Sequence, residues 1–259
     1  MALKFSKVER AGPVTIVTIS RPEVLNAVHY EVSLELEKVF DGFAADPDQW
    51  VAIVTGAGNR SFCAGADLKW LAAGGKWAKV KSGFGGLSTR FDCDKPIIAA
   101  VNGYAMGGGF EMALACDLIV AAENAVFSLP EPRVGLAALP SAVLLLAQQI
   151  GTKRAMDIIL TGRCVSAREG HTMGFVNHVV PEGQALATAL QLAEAICENS
   201  PMAIRASKQA LQRGLGRPIE QAIAEQDDYP AVTALFKSQD YIEGPTAFAE
   251  RRAPKWVGQ

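Results

Sequence analysis

The stretch "VNGYAMGGGFEMALACD" (101–117) sets three consecutive glycines just ahead of a carboxylate, Glu111, in what should be an apolar helix. Glycine costs a helix about 1 kcal/mol against alanine, and an ionised carboxyl resists burial. Both become useful if a helix begins here with a ligand at its tip. The leading amides of a helix have no partner inside it, and the macrodipole places partial positive charge there. Glycines let a ligand approach that backbone closely. A second junction of the same kind, "IVTGAGNRSFCAGADLKWL" (53–71), lies upstream. Downstream, Glu131 stands between Pro130 and Pro132, which predicts a stiff, extended segment.

A phosphate fits these junctions poorly. "GAGNRS" is an incomplete G-x-G-x-x-G, no G-x-x-x-x-G-K-[ST] occurs, and Glu111 would repel a dianion. A transient, singly charged oxyanion fits better: two junctions giving one N–H each would form a two-donor oxyanion hole. Two carboxyls in one apolar pocket, one ionised and one protonated, could then share base and acid work. Taken alone, Glu111 could simply complement a helix start and Glu131 could be an ordinary loop carboxylate.

Other chemistries find little support. His29, His171 and His178 lack metal-ligand spacing, and no metal or cofactor is expected. The five cysteines are odd in number and contain no C-x-x-C, as expected of a reducing cytosol rather than a disulfide or zinc framework. No G-x-S-x-G is present, which disfavours a serine hydrolase. With 25 basic and 27 acidic residues, bulk charge does not suggest a nucleic-acid partner. The start has no apolar stretch of secretory length, and the uncharged run between Arg133 and Lys153 is too polar for a membrane span. A cytoplasmic protein is expected.

The elements that must hold these residues follow from periodicity. Strands are predicted at 14–20, 50–58, 95–103 and 175–180, with two more inside 117–129 around Glu123-Asn124. A helix spans the segment from Val32 to Phe43. Helices dominate later, at 141–150, 152–160, 166–172, 183–198, 201–213, 218–228 and 239–250. The class is therefore α/β with a helical C-terminal part, divided as a core over 1–200 and a helical region over 201–259. The Gly- and Lys-rich segment 72–88 is expected to be a mobile loop.

"FCAGADL" (62–68), "IAAVNGYAMGGGFEMALACDLIVAAENAVFSLPE" (98–131) and "EGPTAFAERRAPKW" (243–256) resemble the crotonase superfamily, the enoyl-CoA hydratases and isomerases. "RPEVLNA" (21–27) resembles that family's early coenzyme-contacting segment. The resemblance implies a spiral of ββα units with a C-terminal trimerisation region, and a homotrimer or dimer of trimers. It implies hydration of a 2-enoyl-CoA to a 3-hydroxyacyl-CoA, as in fatty-acid β-oxidation. The backbone amides of Ala66 and Gly108 would form the oxyanion hole, with Glu111 as base and Glu131 as acid. The residues alone leave the reverse assignment open. Leu25, Asn26, Ala27, Ala64, Asp67 and Leu68 would contact coenzyme A, with Arg60 and Lys69 near its phosphates. Phe248 and Lys255 would reach a neighbouring subunit's coenzyme.

The chain departs from typical hydratases after the second glutamate. "VGLAALPSAVLLLAQQIG" (134–151) carries Ala138 in place of a proline and Ser141-Ala142-Val143 in place of smaller, flexible residues. Leu129 stands where a glutamine is common. A bulkier acyl wall is expected, which opens the alternatives of an isomerase or of a dehydratase acting on a functionalised acyl-CoA such as a carnitinyl-CoA. A non-enzymatic acyl-CoA-binding scaffold is the reading from a different class.

Overall fold

The computed structural model describes residues 3–259. β1 (Ser6–Ala11) and β2 (Val14–Ile19) form an antiparallel hairpin, followed by α1 (Tyr30–Ala45). Three units then repeat one plan of long strand, short strand and helical turn. They are β3 (Val51–Gly56), β4 (Ser61–Cys63) and α2 (Leu68–Ala72); β5 (Ile97–Val101), β6 (Tyr104–Met106) and α3 (Gly108–Ala115); and β7 (Leu118–Ala122), β8 (Val126–Ser128) and a 3-10 turn at Glu131–Val134. The rest is mainly helical: α4 (Ala142–Ile150), α5 (Thr152–Thr161), β9 (Val165–Ser166), α6 (Ala167–Met173), β10 (His178–Val180) and α7 (Ala185–Cys197). It ends with α8 (Pro201–Gly214), α9 (Ile219–Glu225), α10 (Pro230–Lys237) and α11 (Gln239–Glu250).

The long strands form one sheet, ordered β1-β2-β3-β5-β7-β10, and the short ones a second, ordered β4-β6-β8-β9. β3 and β5 are buried at every position and almost wholly apolar, Thr55 donating its hydroxyl to the Ala100 carbonyl, as suits strands of a parallel sheet covered on both faces. Alternate residues serve opposite sides. Ala52, Val54, Ala99 and Val101 join the core beneath α1 and α3, while Val51, Ile53, Ile98 and Ala100 pack with Ala185, Ala189 and Ala193 of α7. No helix among the described residues is long and apolar enough to cross a membrane.

Several expectations change. The strand predicted at 175–180 is confined to β10, and the three-residue strands β4 and β6 are too short to show a period in the sequence. Pro130-Glu131-Pro132 is not extended: it opens a 3-10 turn, where a proline near the start forfeits no hydrogen bond. Pro230 begins α10, a helix the periodicity does not predict, while the helix expected over 239–250 forms as α11 with Pro245 inside it. Segment 72–88 is tied down over its second half. The Ser82 amide donates to Glu37 Oε1 at 2.7 Å and the Gly85 amide to Ser33 Oγ at 3.1 Å. Buried Arg90 donates to the carbonyls of Gly86 and Glu37 and pairs with Asp41. This loop is a wall fastened to α1.

The first and second units lock together at one glycine. A Cβ on residue 109 would lie 2.1 Å from the Cys63 carbonyl oxygen, backbone that cannot move without dragging β4. Gly109→Ala is therefore expected to destabilise the fold by about 1–3 kcal/mol, seen as a lower midpoint in urea unfolding. An unchanged midpoint would mean that the two units are not held at this spacing.

Candidate active site

β4 and β6 run parallel with Ser61 opposite Tyr104 and Cys63 opposite Ala105, so the chain leaves both strands at the same end. There the two glycine junctions meet. Val28 donates to the Gly65 carbonyl (2.8 Å) and accepts from the Asp67 amide (2.9 Å). In this parallel bridge the intervening residue, Ala66, turns its own amide away from Val28. Gly108 is the first residue of α3, whose leading amides have no partner inside the helix. Ala66 and Gly108 both line a cavity of about 440 Å³.

Glu111 and Glu131 line the same cavity. Glu111 lies one turn into α3 and is only 3% exposed. Its Oε1 accepts from the Ser141 amide at 2.9 Å and from the Ser141 hydroxyl at 2.8 Å. Glu131 comes from the 3-10 turn after β8 and lies against the start of α3. A Cβ on Gly107 would stand 2.6 Å from Glu131 Oε1, and Gly107 also has φ +53°, so only glycine admits the carboxyl there. Glu131 Oε2 is buried without a hydrogen-bond partner. Burial pushes the Glu131 carboxyl above its usual range, its own amide partly opposes this, and the nearby Glu111 charge adds to the rise. One carboxyl is thus held by two donors and the other is poised to keep its proton.

The remaining wall is mostly apolar. Trp77 and Phe84 come from the fastened loop, with ring centroids 5.7 Å apart, and Trp70 packs edge-on behind Trp77. Leu136, Leu139 and Pro140 close the other side, and Lys79 is the one cation on the lining. Burial pushes the Cys63 thiol up to about 12, so no thiolate is available beside the site.

The structure brings together most of the predicted coenzyme segment. The Ala64 amide donates to the Leu25 carbonyl at 3.0 Å, so Leu25–Ala27 runs beside Ala64–Leu68. Two of these side chains are occupied structurally. Asn26 is fully buried, accepts from the Arg21 amide and donates to the carbonyls of Ala57 and Ser61, which holds it at φ +56°. Asp67 caps α2 through the Trp70 amide and pairs with Arg21 at 3.0 Å. Burial pushes the Asp67 carboxyl up, but that amide and guanidinium outweigh it and hold it low. The amides of these two residues are also partnered, that of Asn26 with the Arg21 carbonyl and that of Asp67 with the Val28 carbonyl. Arg60 and Lys69 are exposed and, among the described residues, make no ion pair. Phe248, 86% exposed, and Lys255 do not line this chain's cavity. The sequence reading missed Trp77, Phe84, Leu136 and Leu139 as lining, and missed Ser141 as a partner of Glu111.

The family model for enoyl-CoA hydratase/isomerase matches residues 9–259. The chain belongs to this family. Its architecture is the crotonase fold: it superposes with TM-score 0.92 on an enoyl-CoA hydratase from Mycobacterium tuberculosis H37Rv, at 41% identity over 98% of this chain and 99% of that one. It is also 41% identical to a carnitinyl-CoA dehydratase of Salmonella typhi, over 96% of this chain and 97% of that protein. A carnitinyl-CoA dehydratase structure from Mycobacterium avium 104 matches with TM-score 0.78 and 39% identity, covering 99% of this chain and 100% of that one.

The buried Glu131 carboxyl has a consequence for stability. Because its folded value is raised, the native state holds the proton more tightly than the unfolded chain. Its contribution is fully present below the usual value of 4.5 and is lost as pH rises through the folded value. Glu131→Gln, neutral at every pH, should therefore gain in thermal stability relative to the parent as pH is raised across this window. A difference in melting temperature that stays flat from pH 4 to 8 would contradict the raised value.

Proposed function

We propose that the protein is a hydro-lyase that adds or removes water across the C2–C3 bond of an acyl-CoA thioester. The observation that carries this reading is the convergence of Glu111, Glu131 and the junction residues Ala66 and Gly108 on one cavity. In the hydration direction the Ala66 and Gly108 amides receive the thioester oxygen and stabilise the negative charge that develops on it, each donor contributing about 3–4 kcal/mol. Glu111 takes a proton from water, whose oxygen adds to C3. The electron pair of the double bond moves onto the thioester to give the enolate, and Glu131 delivers its proton to C2. Dehydration is the same path reversed, with Glu131 accepting the C2 proton and Glu111 protonating the departing hydroxyl. The raised Glu131 value supports its acid role. In this reading the backbone of Leu25–Ala27 and Ala64–Leu68 cradles the coenzyme, with Arg60 and Lys69 beside its phosphates.

A functionalised substrate of the carnitinyl-CoA type is a second reading. The identity to carnitinyl-CoA dehydratases favours it, as does the Trp77 and Phe84 pair, since aromatic faces suit a quaternary ammonium. Lys79 on the same wall works against a cationic chain. The test is a panel of 2-enoyl- and 3-hydroxyacyl-CoA thioesters, including a carnitinyl-CoA, with products identified by mass. Turnover is expected without added cofactor. Glu111→Gln and Glu131→Gln should each lower kcat by about 10²–10⁴ with coenzyme A affinity retained. Binding without turnover of any panel member would favour the scaffold reading.

We also propose a homo-oligomer, a trimer or dimer of trimers, in which Phe248 and Lys255 serve a neighbour's coenzyme. Exposed Leu211, Ile219, Ile223 and Phe248 on α8, α9 and α11, with Leu215 just past the end of α8, support it, because such apolar side chains gain from a partner surface. Ile219→Glu with Ile223→Glu should lower the mass seen by light scattering. An unchanged mass would place the contacts elsewhere.

A further inference from the structure

Ser141 stands at the N-terminal boundary of α4, a position where a serine usually turns its oxygen to an amide of its own helix. It makes no such cap. Its side chain is spent on another element: the hydroxyl donates to Glu111 Oε1 at 2.8 Å while the backbone N–H of the same residue donates to the same atom at 2.9 Å. The residue is 5% exposed and follows directly on Leu139 and Pro140, which line the cavity, without lining it itself. We infer that Ser141 is a positioning residue that fixes the Glu111 carboxyl in the orientation needed for proton transfer.

The physical argument is one of directional constraint. A glutamate has three side-chain torsions, and burial alone does not choose among rotations of its terminal carboxyl. Two donors converging on one carboxylate oxygen do choose, because rotating the group's plane away from them would break both bonds at once in a buried site, and a half-turn only exchanges two equivalent oxygens. Oε2 is then the oxygen left to face a water or hydroxyl in the cavity. Hydrogen bonds to charged groups are stronger than neutral ones, so the hydroxyl adds materially to what the amide supplies. The start of α4 also points at this carboxylate, which adds the favourable end of its dipole. Among the described residues the Ser141 hydroxyl makes its hydrogen bond to Glu111, so it acts through that carboxyl.

This inference rests on the hydro-lyase reading, and the test separates the two. Ser141→Ala keeps the amide donor and removes the hydroxyl. It should lower kcat by about 10–100-fold with KM nearly unchanged, and Ser141→Thr, which restores a hydroxyl, should recover much of the loss. In a Glu111→Gln background, where the base is already gone, Ser141→Ala should cost less than about 2-fold more. A parent protein inactive on the whole thioester panel overturns the hydro-lyase reading and this role with it. An active parent whose Ser141→Ala variant keeps full kcat overturns the positioning role alone. An undiminished loss in the Glu111→Gln background, or a rise in KM at constant kcat, would likewise reduce Ser141 to a packing residue.

Discussion

The distance between the ends of two short parallel strands governs the rest of this molecule. The backbone of α3 begins so close to β4 that the Cys63 carbonyl occupies the space a side chain at position 109 would need. This contact brings the Gly108 amide and the Ala66 junction to one cavity, and it sets the depth at which Glu111 enters it. The three glycines that weaken α3 as an isolated helix are thus the condition for its place in the fold. The six-stranded sheet, buried at every position of β3 and β5, supplies the stability that such a helix start lacks.

From that geometry follows an electrical asymmetry between two identical functional groups. Glu111 is reached by two donors from the start of α4, whereas one oxygen of Glu131 is buried with none. A carboxyl oxygen without a donor beside an apolar wall raises the value at which the group gives up its proton, and the neighbouring charge adds to the rise. The two carboxyls are set apart by what surrounds them, not by residue type. The elements involved are far apart in sequence, since α3, the 3-10 turn at Glu131–Val134 and α4 each contribute one part.

Much of this arrangement was legible in the sequence, for a physical reason. Glycine runs after apolar strands, followed by a lone carboxylate, are costly unless a backbone must be approached, so they mark junctions even without neighbours. Long buried strands and helices such as α7 and α8 announce themselves by period. The parts that escaped are those fixed by tertiary contact. β4 and β6 are three residues long and exist only through pairing in the short-strand sheet, where β6 lies between β4 and β8. The Glu131 segment looked extended because flanking prolines oppose a helix interior, yet a single 3-10 turn tolerates them at its start. Segment 72–88 reads as loose from its glycines and lysines, but Arg90, Glu37 and Ser33 fasten it from outside. Nothing in "ALPSAV" says that Ser141 will face a carboxylate thirty residues upstream.

The division between reacting end and acyl end follows the same line. Ala66 and Gly108 would act through backbone, set by strand pairing and glycine packing, so side-chain substitution scarcely alters them. Trp77, Lys79, Leu136 and Leu139 reach the cavity from segments outside the two sheets and outside α3, whereas Phe84 packs over Gly108 at the start of α3. The first four side chains can therefore vary with less effect on the junctions than Phe84 can. Such a construction explains why 41% identity connects this chain equally to a protein named as a carnitinyl-CoA dehydratase and to one named as an enoyl-CoA hydratase. A wall carried by connecting segments can vary in its side chains while paired strands and glycine packing keep the two junctions in place.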